Sequence, residues 1–386
     1  MISGFSGKVF KSYDGEAFEM LCEVVNEALE CAHLEKSEID GLVTTFLPGV
    51  VDGKIHKHFY TTQLAQFLGL MPRFMELFDY GGASAPAMLQ RANKAVLNGE
   101  ATNVLCVVGG KASDLKSKGV TVDSIDRLSA DVSLTPFDEF FRVYTDMNPI
   151  SDYALVATRH SHLFGTTDSQ RALLAVKQRQ NAKANELALY KNELSVSDVL
   201  SSPVVCEPLH LLEIVYPVDG FHAFIVSQKR TADLRAVDIL AYGEAHWPEM
   251  PCELPDLVNT PAQESSKRAR FDLSKIDAFE LYDSFTITVM LQIEDIGLCN
   301  KGESGRFLER VDTTYKGELP INTGGGSLNT GQPAFMSGGV LIDEALRQLN
   351  YMAKAHQVSG VDKVFVNCIG GWNRAHSTTI VLGEAP

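Results

Sequence analysis

The sequence has no cysteine pair to build on. Its 7 cysteines, Cys22, Cys31, Cys106, Cys206, Cys252, Cys299 and Cys368, are odd in number and show no CxxC spacing. A secreted disulfide framework is therefore excluded as a reading, and reduced thiols in the cytoplasm are expected. Positive charge is scarce: 34 Lys and Arg stand against 49 Asp and Glu, a formal net charge of -15. Such a surface has no general attraction for phosphate backbones or anionic lipid, so neither nucleic acid nor a membrane is expected as a partner. No run of about 18 uninterrupted apolar residues occurs, which argues against a membrane-spanning helix. The opening residues Met1-Ile2-Ser3-Gly4-Phe5-Ser6-Gly7-Lys8 lack the charged region and apolar run of an export signal. A phosphate loop and a GxGxxG turn are also missing. His56 and His58 stand alone, and His160 and His162 alternate on a polar helical stretch, so no metal site is expected.

What is present is enough for a substantial core. The 386 residues are 45% hydrophobic and 22% charged, too long for one ordinary core and well suited to two core units or one large composite α/β unit. Helical and strand periods alternate through the first hundred residues. Apolar positions Phe18, Leu21, Val24, Val25, Ala28 and Leu29 predict a helix between Gly15 and Ala32. Ile39 to Phe46 predicts a buried strand and Tyr60 to Leu68 a second helix. A further helix starts near Ala83 and stops at Gly99, and Val104 to Gly110 reads as a strand buried on both faces. Lys111 to Phe141 is polar and aperiodic, an excursion over the surface. Helices resume at Asp152–Leu163 and Ser169–Ala184, and a strand, Phe221 to Val226, follows an expected turn at Asp219-Gly220. From Val237 a second alternating region ends with a helix, Gly338–Leu349, and a strand, Val364 to Gly371. In each half a glycine-rich turn precedes a helix that leads to a buried strand ending Gly-Gly, which suggests a duplication. Coincidence between two ordinary strand–helix–strand units is the alternative.

Four places carry possible chemistry. Gly81-Gly82-Ala83-Ser84-Ala85 opens a helix, so its amides either hold an oxyanion or thioester carbonyl, or are small only for close packing. Asn322-Thr323-Gly324-Gly325-Gly326, continuing to Gly331-Gln332-Pro333, is denser in glycine than any turn requires and lets backbone approach a ligand. Tyr282-Asp283-Ser284-Phe285 follows the strand Ala278–Leu281, at an edge where α/β active sites collect residues. Tyr282 either donates a proton with Asp283 orienting it, or packs with its hydroxyl satisfied while Asp283 caps a helix. Cys368 ends a buried strand, where a cysteine is usually inert packing.

In their order these segments resemble the thiolase superfamily, specifically its sterol-carrier-protein-X type of thiolase-like proteins. The likeness covers almost the whole chain. It runs through Asp152-Tyr153-Ala154-Leu155, Phe164-Gly165-Thr166-Thr167, Asn181-Ala182, Ser202-Pro203-Val204-Val205 and Asp219-Gly220. It continues with Tyr282-Asp283-Ser284-Phe285, Glu294-Asp295-Ile296-Gly297, Lys301-Gly302-Glu303, Asn322-Thr323-Gly324-Gly325, Gly331-Gln332-Pro333 and Cys368-Ile369-Gly370. The resemblance implies two βαβαβαββ halves in a five-layered αβαβα arrangement. Residues 1–110 and 219–235 would form the N-terminal half, 111–218 an inserted loop domain, and 236–386 the C-terminal half. It also implies a homodimer that acts on coenzyme A thioesters as substrates, with no covalently bound cofactor.

The departures from the family pattern shape the expected chemistry. Gly82 stands where thiolases carry the nucleophilic cysteine, so no acyl-enzyme forms there. Gln332 stands in the Gly-His-Pro slot, where it can hydrogen-bond a carbonyl but not shuttle protons. Cys368 keeps the family's acid/base position, and Tyr282 brings a phenol to the loop where relatives place Asn or His. Amides near Gly82 and Gly370, with Gln332 and the Asn322, Gly324 and Gly325 loop, would stabilise an enolate. Chemistry that needs an enolate but no acyl-enzyme is thereby implied: retro-aldol cleavage of a β-hydroxyacyl-CoA, as in steroid side-chain aldolases that work with a small OB-fold, zinc-ribbon partner. Two alternatives stand beside it. One is thiolase-type acyl transfer with a nucleophile from elsewhere, such as Cys106. The other is a degenerate subunit that binds acyl-CoA or scaffolds a partner. The acyl pocket is expected from Pro48–Tyr60 and Lys111–Leu163.

Overall fold

The computed structural model describes residues 1–50, 59–113, 149–231, 233–248, 253–254, 256–334, 337–371 and 374–384. His56 and His58, nearly all of the polar excursion after Lys111, and the start expected for a helix near Phe335 lie outside the described residues.

The first half runs β1 (Ile2–Phe10), α1 (Ala17–Ala32), β2 (Gly41–Thr45), α2 (Tyr60–Leu68), β3 (Phe74–Phe78), α3 (Ser84–Leu97) and β4 (Asn103–Lys111). Each element follows from its pattern. In α1 the buried positions Met20, Leu21, Val24, Val25, Ala28 and Leu29 form one stripe, and Glu16 with Glu19 closes a capping box at its start. β4 is buried at all nine positions because helices cover both of its faces. An inserted segment follows, with α4 (Pro149–Phe164), α5 (Asp168–Ala184), α6 (Val196–Ser201) and a short hairpin of β5 (Val204–Cys206) and β6 (Leu209–His210). The chain then returns to the first sheet as β7 (Pro217–Ser227).

The second half contains β8 (Asp238–His246), α7 (Ala262–Ala269), β9 (Ala278–Leu281), α8 (Thr286–Asp295), α9 (Ser304–Arg310) and α10 (Gly326–Thr330). It ends with β10 (Gln332–Pro333), α11 (Ser337–Leu349), β11 (Lys363–Gly370) and β12 (His376–Gly383). The first sheet has the order β3-β2-β4-β7-β1, two parallel pairings followed by two antiparallel ones. The second has the order β9-β11-β12-β8, one parallel pairing followed by two antiparallel ones. Ile321 bridges Phe279 in parallel on the outer side of β9, where β3 stands in the first sheet. The echo between the halves is thus a real duplication. Helices α3 and α11 touch each other and both sheets, forming the central layer, while α1 and α2 cover the first sheet and α7 the second. The result is the five-layered thiolase-like α/β arrangement. No described helix is long and apolar enough to cross a membrane.

Two expectations are corrected here. Asp219-Gly220 is not a turn but part of β7, paired with Phe10 and with Gly110 and Lys111. Asp219 works there as a staple, accepting hydrogen bonds from the amides of Tyr13 and Ser113 at 2.8 Å each. His160 is not on a solvated face. It is fully buried, with Nε2 3.0 Å from Glu294 Oε1 and Nδ1 2.9 Å from the Thr166 hydroxyl, tying α4 to α8.

Candidate active site

The duplicated architecture brings the two Gly-Gly segments together. The 3-10 turn Gly81–Ala83, which leads into α3, packs on the end of β11. A side chain on Gly370 would lie 2.5 Å from the Gly82 nitrogen and 2.7 Å from that of Ala83, and one on Gly81 would lie 2.7 Å from the Gly371 nitrogen. Glycine is needed because the two backbones are in direct contact. The Thr378 hydroxyl donates to the Ala83 carbonyl at 2.8 Å and holds the turn against β12.

Tyr282 fills the space in front of this turn. A Cβ built on Gly82 would lie 2.1 Å from Tyr282 Cε2, 2.5 Å from its Cζ and 2.6 Å from the Ile369 carbonyl. The phenol end of Tyr282 therefore occupies the place where a residue-82 side chain would begin. The ring is fixed through its own backbone at the end of β9. The Tyr282 amide donates to the Asn367 carbonyl at 3.0 Å, and Gln292 on α8 donates from Nε2 to the Tyr282 carbonyl at 2.6 Å.

Cys368 lies in β11, opposite Thr378 and two residues before Gly370. Its side chain is wholly buried, and Sγ would sit 3.3 Å from a Cβ on Gly338, the residue whose missing side chain leaves room for the Gly82 carbonyl at 2.4 Å. Burial, with the carboxyl of Asp283 adding to it, pushes the Cys368 thiol well above its ordinary pKa. At neutral pH it is a thiol, a proton donor and not a base.

The remaining expected residues are engaged elsewhere. Asp283 does not reach the Tyr282 hydroxyl but accepts from the amides of Ser327 at 2.9 Å and Leu328 at 3.0 Å, and from Gln178 Nε2 at 2.9 Å. Burial raises its carboxyl to a pKa of about 6. Asn322 uses its amide on the backbone of Leu281, accepting at 2.7 Å and donating at 2.9 Å. Gly324 packs on Glu344 and Asn185, and Gly325, at φ +98, packs on Ala182 of α5. The Gln332 amide donates to the Ala334 carbonyl at 3.3 Å, and its backbone pairs with Pro217. Cys106 is fully buried, with Sγ 3.9 Å from the Met88 carbonyl and its pKa raised by burial.

The structure gives roles to residues to which the sequence assigned none. Gln292 and Asn367 position Tyr282, and Gly338 makes room beside Cys368. Tyr153 stacks on Phe285, with ring centroids 4.2 Å apart, and the buried Arg374 guanidinium lies 5.3 Å above Tyr153. Of these only Gly338 carried a local signal, a Gly-Gly pair in the first turn of a helix.

Sheet order, duplicated halves and a site assembled at the junction of two glycine turns define a thiolase-fold enzyme. The family described as "Thiolase C-terminal domain-like" matches residues 243–384. The chain is 30% identical over 381 residues to the 17-hydroxy-3-oxo-4-pregnene-20-carboxyl-CoA lyase of Mycobacterium tuberculosis, covering 95% of both chains. It is 29% identical over 368 residues to the steroid side-chain-cleaving aldolase of Thermomonospora curvata, covering 90% of this chain and 89% of that protein. Among solved structures it superposes on an Ltp2-ChsH2(DUF35) aldolase with a TM-score of 0.82 at 26% identity, covering 99% of this chain and 97% of that one. The chain belongs to the thiolase superfamily, as a sterol-carrier-protein-2-thiolase-like protein of the aldolase branch.

Proposed function

We propose that this protein cleaves the Cα–Cβ bond of a β-hydroxyacyl-CoA by a retro-aldol reaction. Breaking or making a C–C bond in a coenzyme A thioester is the coarser function that its relatives support. The finer reading is carried by one observation: the Tyr282 phenol stands in the volume that a nucleophile on residue 82 would need.

Tyr282 takes the proton of the β-hydroxyl group on its phenol oxygen as its own phenol proton is passed on to Cys368. The Cα–Cβ bond breaks, its electron pair passes to the thioester as an enolate, and the β-carbon leaves as an aldehyde or ketone. Amides of the Gly82 and Gly370 backbones hold the enolate oxygen; one such donor is typically worth about 100- to 1,000-fold in rate. The Cys368 thiol protonates Cα. Transfer of the proton from Tyr282 to the Cys368 thiolate restores both groups, so no proton is consumed.

The solved aldolase neighbour contains a DUF35 partner, which supports a small OB-fold, zinc-ribbon partner for this chain. A homodimer is also part of the proposal: Met75 and Leu77 are exposed on β3, the outer strand of the first sheet. Sedimentation checks it, and a monomer at micromolar concentration rules it out. For the reaction, the chain is incubated with and without its partner on steroid, aryl and aliphatic β-hydroxyacyl-CoA compounds, and products are read by mass spectrometry. A shorter acyl-CoA and an equimolar carbonyl product are expected. No turnover on any, or an acyl adduct on a cysteine, overturns the reading.

A further inference from the structure

A cavity of about 270 Å³ opens between β1, the loop before α10 and α11. It exceeds the roughly 150 Å³ that accommodates benzene in an engineered protein cavity. Phe10, Leu187, Val340 and Leu341 form apolar wall, and Glu280 and His222 contribute polar wall. It lies on another side of α11 from the catalytic turn: Gly338 faces the Gly82 carbonyl and Cys368, whereas Gly339 faces His222, whose Nδ1 would be 3.0 Å from a Cβ there. Gly7 leaves similar space on the ring's other edge, where a Cβ would lie 2.3 Å from His222 Cδ2.

The hydrogen bonding around Glu280 is incomplete. Its Oε1 accepts from the Thr323 amide at 3.0 Å and lies 2.7 Å from the Thr323 hydroxyl, which is also 2.7 Å from Glu344 Oε1. Thr323 has a single hydroxyl proton for two oxygens, so one carboxyl must carry its own. Burial and the neighbouring Glu344 push Glu280 well above the ordinary glutamate value, while hydrogen bonds from His356, Gln348 and Thr323 hold Glu344 down against its burial. The proton therefore sits on Glu280 Oε1 and donates to Thr323, which donates to Glu344. Glu280 Oε2 is left as a carbonyl-type acceptor, fully buried and without a partner. His222 Nδ1 is likewise buried and unpartnered, and burial keeps the ring neutral by lowering its pKa to about 4. Native proteins rarely leave such atoms unsatisfied without a ligand or water to meet them.

The charges nearby are already matched. Glu344 Oε2 is 3.2 Å from His356 Nε2, Asp343 Oδ2 accepts from Arg347 at 2.6 Å, and the Lys8 ammonium, which also lines the cavity, lies 2.7 Å from Glu27 and 3.1 Å from Glu23. A cation gains little from them, and an anion is repelled by both carboxylates. We propose that this cavity is a second ligand site for a neutral, largely apolar alcohol, whose hydroxyl donates to Glu280 Oε2 and whose body lies against Leu187, Val340 and Leu341. The site is independent of the reaction proposed above.

The test uses the whole chain and 4-fluorobenzyl alcohol, read by fluorine NMR. Saturable binding is expected, with 4-fluorotoluene, 4-fluorobenzoate and 4-fluorobenzylamine each weaker by at least about tenfold. Leu187→Trp, at a half-exposed position, and Val340→Phe should each weaken the alcohol by at least about tenfold without changing turnover. Nuclear Overhauser contacts from the ligand ring to the methyls of Val340 and Leu341 give a readout in the unaltered protein. No saturable binding, binding that survives in folded filled variants, a preference for the acid or amine, or contacts elsewhere overturns the proposal.

Discussion

Gly82 and Tyr282 share one volume: a methyl group on the first would stand 2.1 Å from Cε2 of the second. The absence of a side chain at residue 82 is therefore not a simple loss of a nucleophile. Restoring one by Gly82→Cys forces the Tyr282 ring out of a packed site, and overpacking of this kind costs about 1–3 kcal/mol. The single variant should melt lower and still form no acyl-cysteine. Adding Tyr282→Asn clears the space, so stability should recover and the two substitutions should be non-additive by a similar amount in a denaturant cycle. Simple additivity would show that the ring has room to move aside.

Tyr282→Phe separates chemistry from packing. It keeps the ring that fills the space by Gly82 and leaves the Gln292 and Asn367 contacts to its backbone untouched. The melting temperature should stay close to that of the unaltered protein, while kcat on a β-hydroxyacyl-CoA falls about 100- to 10,000-fold, the usual range for a lost acid/base group. Unchanged turnover would reduce Tyr282 to a space-filler.

The buried Cys368 thiol should resist alkylation. With its pKa pushed up by burial and by Asp283, iodoacetamide at pH 8 should leave it unmodified in the folded chain and label it in urea, as read by peptide mass. Cys368→Ala should lower kcat by about 100-fold or more, because the enolate loses its proton donor. It should also slow deuterium uptake at Cα of the product in heavy water. Rapid labelling in the folded state would mean a thiolate, and a base in place of the acid argued above.

Much of the fold was legible because the signals were periodic. The α2 boundaries, Tyr60 and Leu68, follow directly from apolar spacing, and the Gly-Gly endings of β4 and β11 exposed the duplication. Long-range polar choices were not legible. His160 sits among polar neighbours in the sequence, yet its partner Glu294 is 134 residues away. Asp219-Gly220 has turn chemistry, but β7 continues through it because the Tyr13 and Ser113 amides need its carboxylate. In the site, the identity of residue 82 was visible, but what fills its place depends on β9 and β11 meeting the turn from the other half. Likewise nothing near Glu280 in sequence marked its orphaned oxygen.

Asp283 gives the clearest pH signature. Burial lifts its pKa from an ordinary 3.8 to about 6, against the hydrogen bonds of Leu328, Ser327 and Gln178 that favour the carboxylate. A carboxyl whose folded pKa is raised binds its proton more tightly in the folded state. Its stabilising contribution is complete below pH 3.8 and is lost as the pH rises through about 6. A shift of roughly two units corresponds to about 3 kcal/mol. Asp283→Asn removes that titration, while leaving a buried amide of Ser327 or Leu328 without an acceptor, at a pH-independent cost of about 1–3 kcal/mol. The difference in unfolding free energy, native minus variant, should fall by about 3 kcal/mol between pH 3.5 and 7 and then level off. Urea titrations at half-unit pH steps measure it. A difference that stays flat across that window would mean that the three hydrogen bonds fully offset burial, leaving Asp283 an ordinary ionised helix cap.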